Sequence, residues 1–346
     1  MKCIMHSLRL SPRKLSFNSA MLVLYALHLF LLWIDCVLSN SPWRPFGGAI
    51  MLSRLFSQLG IGLLRCLAIL PYGIVARFGD ALGYLAFLIP NSRKRIVLTN
   101  LRLCFPEWSD SQRYSIAQRA FRHAVRSYVE RSIQWFGSTE KLLSLIEVDS
   151  EIDLNVAPGR PGEQPAIFLG YHFVGIEAGS IWYSRLGPSA SLYTPMSNAY
   201  VDQAAKDARG RFGAEMVSRG DSARAVLRMF RENKTVMLAA DMDYGMRNSV
   251  FVPFFGVPAC TLTAVSRLAQ TGRARVIPFV VEVLPNYRGY RLKIYKPWQD
   301  YPSGDEVVDA RRMNAVLEAH IREMPEQYYW MHRRFKTRPE GEASVY

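Results

Sequence analysis

With 346 residues, 49% of them hydrophobic, the chain is too long for a small module and apolar enough for one large α/β core with appendages. Its 43 Lys and Arg against 29 Asp and Glu leave a net charge of +14, which points to anionic partners such as phosphate-bearing lipids or an acidic protein. The sequence holds no zinc-finger spacing, RNP-type aromatic motif or basic zipper, so no nucleic-acid partner is expected. Its five cysteines (Cys3, Cys36, Cys66, Cys104, Cys260) are odd in number and widely spaced, which fits a reducing compartment rather than a disulfide framework or a metal site.

Three segments are expected in chain order: an N-terminal extension over 1–50, membrane-anchoring helices over 51–90, and a catalytic domain over 91–346. Within the extension, Ala20–Leu38 is almost wholly apolar and matches the roughly 20 residues a helix needs to span a bilayer core. His28 and Asp35 interrupt it, and Lys2, Arg9, Arg13 and Lys14 before it favour an N-terminus in the cytoplasm. A signal peptide fits less well, because the apolar stretch is long and no small-residue cleavage site follows. A second apolar run, Leu55–Leu70, is short for a span. With Arg65 inside it, it reads as a tilted or interfacial anchor whose arginine reaches the headgroups. Met51 stands just before this run, so residues 1–50 could be dispensable.

Ile74–Leu88 reads as an amphipathic helix stopped by Pro90, and Asn91–Cys104 is basic and then apolar. Ser109 or Asp110 can cap a long helix from about 111 to 136, with Ile116, Ala120, Ala124, Ser127 and Tyr128 on one face. The Gly/Pro-rich stretch Ala157–Pro165 is punctuation. After it, strands and helices alternate. Strands are expected at 166–170, 191–194, 215–217, 235–240, 249–255, 274–284 and 290–296. Helices are expected at 175–186, 199–211, 222–231 (capped by Asp221), 261–271 and 305–324. This alternation predicts an α/β fold with a mixed central sheet flanked by helices. Pro253 and Pro278 lie in strand-like runs, which suggests edge strands or interruptions there.

Chemistry concentrates in AIFLGYHFVGIEAG, where the strand ends near Gly170 and His172 and Glu177 follow five residues apart. On a continuous helix that spacing puts the two about 140° apart. If His172 lies on the preceding turn and Glu177 one turn into the helix, they can meet. A carboxylate on one imidazole nitrogen fixes the tautomer and raises the basicity of the other nitrogen, which can then take a proton from an alcohol. The same spacing also fits a capping histidine and a helix-surface glutamate. The position favours chemistry, because ligands of open α/β sheets gather at the carboxyl ends of strands.

HFVGIE resembles the H-x4-[D/E] motif of the glycerolipid and lipid A acyltransferase superfamily, GAEMVSR (213–219) its second block and RVIPF (275–279) its late apolar-Pro block. Five further stretches resemble the lipid A late acyltransferases that acylate Kdo2-lipid IVA: NLRLCFPE (100–107), ARGRFGAEMVSRGD (208–221), DMDYG (241–245), SVFVPFFGVPA (249–259) and PEQYYWMHRRFKTRPEG (325–341). The resemblance as a whole reaches from about residue 55 to the C-terminus. The family commonly has Pro before the Asp block, where this chain has Ala240, and the 50-residue extension is also atypical.

The resemblance implies His172 as base and Glu177 as its acidic partner. It implies Arg209 as an arginine at the acyl thioester or the acceptor phosphate, and Asp241 as the essential first Asp of Asp-x-Asp-Tyr-Gly. Arg219, Asp243 and Arg333 follow as substrate-binding candidates. It implies an inner-membrane enzyme, its catalytic domain on the cytoplasmic face, that moves an acyl chain from acyl carrier protein to a hydroxyl of a phosphorylated lipid A precursor in lipopolysaccharide biosynthesis. No metal or cofactor is expected. Two other readings stay open: a phospholipid acyltransferase using acyl-CoA and glycerophosphate-type acceptors, and a non-catalytic basic membrane protein that binds lipid.

Overall fold

Short apolar runs punctuated by Gly, Pro and Asn build a sheet, and the longer 3.6-period runs between them supply its helices. The computed structural model describes residues 47–154, 164–196, 198–218 and 222–346. The expected span Ala20–Leu38, Asp221 and most of the 157–165 punctuation lie outside these residues. α1 (Gly47–Ile69), α2 (Tyr72–Leu88), α3 (Ser92–Cys104), α4 (Asp110–Phe136) and α5 (Thr139–Ser144) precede the sheet. β1 (Ile146–Ser150), β2 (Ala166–Gly170), α6 (Ile176–Tyr183), β3 (Ser189–Tyr193), α7 (Ala199–Gly210), β4 (Glu215–Ser218), α8 (Ser222–Arg231) and β5 (Thr235–Ala239) follow. The chain continues through β6 (Ser249–Phe254), β7 (Val257–Leu262), α9 (Ala264–Gly272), β8 (Arg275–Val283), β9 (Tyr290–Ile294) and α10 (Glu306–Glu323).

The seven-stranded sheet has the order β1-β9-β8-β2-β5-β3-β4. All its pairings are parallel except β8 with β9, so the sheet is mixed, as the alternation predicts. β2 lies near its centre, and all five of its residues are buried. That explains the unbroken apolar run AIFLG, since a parallel strand covered on both faces needs no polar alternation. α6 packs on β8 closely enough that a Cβ added to Gly179 would sit 2.5 Å from Cγ2 of Val281, so the position requires glycine.

Three local expectations change. Pro278 interrupts an internal strand, not an edge. The first half of β8 pairs with β2 up to Pro278 and the second half pairs with β9 from Phe279 onward, so the proline sits where one partner is exchanged for the other. The helix expected over 261–271 begins only at Ala264, because 257–262 forms β7. β7 makes a hairpin with β6 through Phe255 (φ 50°) and Gly256 (φ 77°), a two-residue turn hidden by an aromatic in the left-handed region. β1 escapes sequence reading because Glu147, Val148 and Asp149 are exposed, leaving no apolar pattern; it is an edge strand recruited by β9.

The long helix α4 behaves as expected. Ser109 and Gln112 form a reciprocal capping box, and Ile116, Ala120, Ala124 and Tyr128 are buried. A buried polar network fixes α4 to α2 and β9. Arg126 and the Tyr72 hydroxyl both donate to Glu130 Oε1 (2.6 and 2.9 Å), and the Tyr290 hydroxyl donates to Glu130 Oε2 (2.8 Å). Buried polar groups satisfied in this way resist displacement, so α4 is a rigid platform beside the sheet. α1 continues through the apolar run at 55–70. Its Arg65 rests on the Phe136 ring, 5.2 Å from the centroid. Among the described residues, no single helix is long and apolar enough to cross a membrane. α2 and α3 together have the length, but they are bent by 88° at their break.

Candidate active site

The parallel pairing of β2 with β5 builds the site. Gly170 is in register with Ala239, so His172 and Asp241 each stand two residues beyond the paired ends of neighbouring strands. His172 Nδ1 and Asp241 Oδ1 are 2.6 Å apart, and the His172 backbone N–H donates to Asp241 Oδ2 at 3.0 Å. The Tyr328 hydroxyl donates to the same Oδ2, also at 3.0 Å. Asp241 is buried, while about a quarter of the His172 side chain is accessible. Burial pushes the Asp241 carboxyl up, but the paired His172 imidazole and its hydrogen bonds outweigh this and hold it below the usual carboxylate range. An anionic Asp241 keeps the proton on Nδ1 and leaves Nε2 as a bare base.

The expected partnership of His172 with Glu177 is therefore corrected. Glu177 sits at the start of α6, and its carboxylate is taken up by a different set of donors. The Trp135 indole N–H donates to its Oε1 (2.8 Å), and Arg209, at the end of α7, donates through Nε to Oε1 (2.8 Å) and through Nη2 to Oε2 (2.6 Å). Burial would raise the Glu177 carboxyl. The Arg209 charge and hydrogen bonds, with Arg131 and Trp135 behind them, bring it down to about 2. The physical reason for the correction is competition: a bidentate guanidinium matches the carboxylate fork, and Asp241 already occupies the imidazole. Arg209, expected at the thioester or an acceptor phosphate, commits its Nε and Nη2 to Glu177.

The C-terminal PEQYYWMHRRF segment lies across the catalytic turn as an improvised strand. Val174 N–H donates to Gln327 O and Tyr329 N–H to His172 O, both at 2.9 Å, around an antiparallel bridge between Phe173 and Tyr328. His332 follows, with Nδ1 2.7 Å from the Tyr329 carbonyl and a shielded Nε2 that has no partner among the described residues. Burial pushes this imidazole down to about 4, so it is neutral at pH 7. Trp135, Tyr328 and His332 were not singled out by sequence reasoning. Tyr328 and His332 lie in a block that resembles the family, whereas Trp135 is indistinguishable from the rest of the buried face of α4.

The other candidates divide. Asp243 accepts from Thr337 N (2.6 Å), Thr337 Oγ1 (2.8 Å) and Gly245 N (2.9 Å). The carboxylate of Asp243, expected at the substrate, thus fastens the C-terminal segment. Arg333 is exposed, with its guanidinium 6.0 Å from the Tyr346 ring. Arg219 lies outside the described residues.

Residues 49–337 match the family described as bacterial lipid A biosynthesis acyltransferase. The chain belongs to that family. It is 35% identical over 311 residues to a lipid A biosynthesis lauroyltransferase of Escherichia coli (strain K12), covering 89% of this chain and all of the relative. A palmitoleoyltransferase of the same organism is 31% identical, over 83% of this chain and 93% of its own length. A myristoyltransferase is 30% identical, over 83% and 89%. The chain is thus an acyltransferase of lipid A biosynthesis, and the His172–Asp241 pair is the group in it suited to activating an alcohol.

Proposed function

We propose that this acyltransferase moves a fatty acyl chain from acyl carrier protein to a hydroxyl of a phosphorylated lipid A precursor of the Kdo2-lipid IVA type, with His172 as general base and Asp241 as its partner. The observation that carries the reading is the 2.6 Å contact between His172 Nδ1 and the buried Asp241, which leaves Nε2 as the basic nitrogen. Nε2 takes the proton of the acceptor hydroxyl as its oxygen attacks the thioester carbonyl. The anionic carboxylate stabilises the imidazolium that forms. Collapse of the tetrahedral intermediate breaks the carbon–sulfur bond, and the proton on Nε2 passes to the departing sulfur. The donor is already an activated thioester, so no covalent enzyme intermediate is needed.

The net charge of +14 suits an acidic carrier protein and a phosphorylated lipid, both of which it would steer electrostatically. We place the enzyme on the cytoplasmic face of a bacterial inner membrane, where carrier-protein thioesters are made. Large apolar side chains exposed on α1 and α2 support a membrane-facing surface, among them Leu59, Leu63, Ile69, Ile74, Phe78 and Leu88. The test is purified His172→Ala against wild type, with dodecanoyl or tetradecanoyl carrier protein as donor and either a lipid A precursor or a glycerophosphate lipid as acceptor. Products would be read by mass spectrometry. Wild type should form an ester on the lipid A precursor, and His172→Ala should lose at least about a thousandfold in turnover while keeping its melting temperature. Near-normal turnover by the variant removes the mechanism, and preference for the glycerophosphate lipid removes the substrate assignment.

A further inference from the structure

We propose that Arg131 is the anion-binding arginine of the acyl-transfer site and receives a phosphate group of a substrate. Arg131 lies on α4 between Tyr128 and Trp135. Its guanidinium carbon stands 4.2 Å from the centroid of the first ring and 5.4 Å from that of the second. Both rings are tied into the catalytic apparatus. The Tyr128 hydroxyl is 3.2 Å from that of Tyr329, whose backbone N–H donates to the His172 carbonyl, and the Trp135 indole donates to Glu177.

Two things single out this arginine. Among the described residues no carboxylate pairs with it and no hydrogen bond takes up its donors, although it is half-buried. Glu177, whose carboxyl the Arg131 charge helps to hold down, is already satisfied by the bidentate Arg209. A guanidinium held by aromatic faces keeps its rim of five N–H donors free, in a fork that matches two oxygens of a phosphate. Arg209 cannot offer that fork, because its Nε and Nη2 are committed to Glu177. Partial burial without a counterion is unfavourable for a cation, and an incoming phosphate relieves it.

The inference rests on the substrates proposed above. The phosphate is either an ester on the lipid acceptor or the phosphodiester of the carrier-protein arm, and the experiment separates the two. Arg131→Ala and Arg131→Lys of the full chain are compared with wild type in steady-state kinetics. The acceptor is used with and without its phosphates, and the donor as carrier-protein thioester and as acyl-pantetheine, which lacks the phosphate. Arg131→Ala should raise KM for one of the two substrates about ten- to hundredfold, with a smaller change in kcat. Removing the phosphate from that substrate should cost wild type a similar factor and the variant less than about twofold. Arg131→Lys should fall between, because it keeps the charge and loses the fork. Unchanged KM values overturn the proposal. So does an equal loss on dephosphorylation in wild type and variant, or a uniform fall in kcat with a lowered melting temperature, which marks a packing role. A wild type idle on lipid A precursor overturns the substrate reading and this proposal with it; an active wild type with an indifferent Arg131→Ala overturns this proposal alone.

Discussion

Exchanging the two carboxylates for amides, one at a time, separates the partner of the base from the partner of the arginine. In Asp241→Asn the side chain can sit in two orientations, and the surroundings choose between them. Oδ2 accepts from two donors that cannot accept in return on those hydrogens, the His172 backbone N–H and the Tyr328 hydroxyl. The asparagine must place its carbonyl there, which turns its NH2 toward His172 Nδ1 at the 2.6 Å contact. Nδ1 then has to accept, the proton moves to Nε2, and the base faces the alcohol already protonated. In hydrolytic triads the same exchange lowers turnover about ten-thousandfold, which corresponds to roughly 5 kcal/mol of transition-state stabilisation. Glu177→Gln does something different. It leaves the Arg209 guanidinium buried without its charge partner, a loss on the order of 3 kcal/mol in stability. Circular-dichroism melts and kcat with acyl carrier protein would be measured on both variants. Asp241→Asn should show a collapse of kcat far beyond any unfolded fraction, and Glu177→Gln a melting temperature lower by several degrees. If Asp241→Asn stays within tenfold of wild-type turnover while a fully folded Glu177→Gln loses a thousandfold, then Glu177 is the partner of the base after all, and the assignment is wrong.

Two further outcomes follow from burial and from sequence. His123 and His332 are both pushed by burial from an ordinary 6.5 to about 4, so between these values the unfolded chain holds protons that the fold refuses. Stability should therefore fall as pH drops through that window, by about 3 kcal/mol per histidine once pH 4 is reached. Urea midpoints at pH 7.5 and 5 should show the fall, and His123→Gln should show less of it; equal losses in both proteins would refute the cause. A chain beginning at Met51 should still sediment with membranes and acylate the acceptor. A soluble or inactive product would show that residues 1–50 matter.

The architecture was legible in the sequence wherever burial imposes a pattern. AIFLG reads as a fully covered strand because it is one, and the Ser109–Gln112 cap marks the start of α4 to within a residue. Reading failed where the determining partner is distant. β1 has no apolar signature of its own and exists because β9 offers an edge. The role of Pro278 depends on β8 changing partners beside it, which no local window contains. The site divides the same way. His172 stands out by its place at a strand end, and Glu177 takes the partnership from the five-residue spacing together with the resemblance to the H-x4-[D/E] motif. The true neighbour lies 69 residues on. A signal for it was present: Asp241 follows the run TVMLA by the same two residues as His172 follows AIFLG, and equal offsets from the ends of two parallel neighbours place side chains together.

That geometry also explains why an acyltransferase site would keep a second buried carboxylate off the base. One carboxylate serving both imidazole and guanidinium would divide its charge between them, and the stronger, bidentate partner would draw it from the imidazole. With two, Asp241 supplies the full negative charge that an imidazolium needs, while Glu177 ties together three helices: α6 through its own backbone, α4 through Trp135 and α7 through Arg209. The second pair thereby sets the position of Trp135, and with it the ring against which Arg131 rests. Loss of Glu177 would then displace the surroundings of the base rather than its protonation, so in this chain the five-residue spacing from His172 to Glu177 reflects where α6 begins relative to β2, not a contact between the two residues.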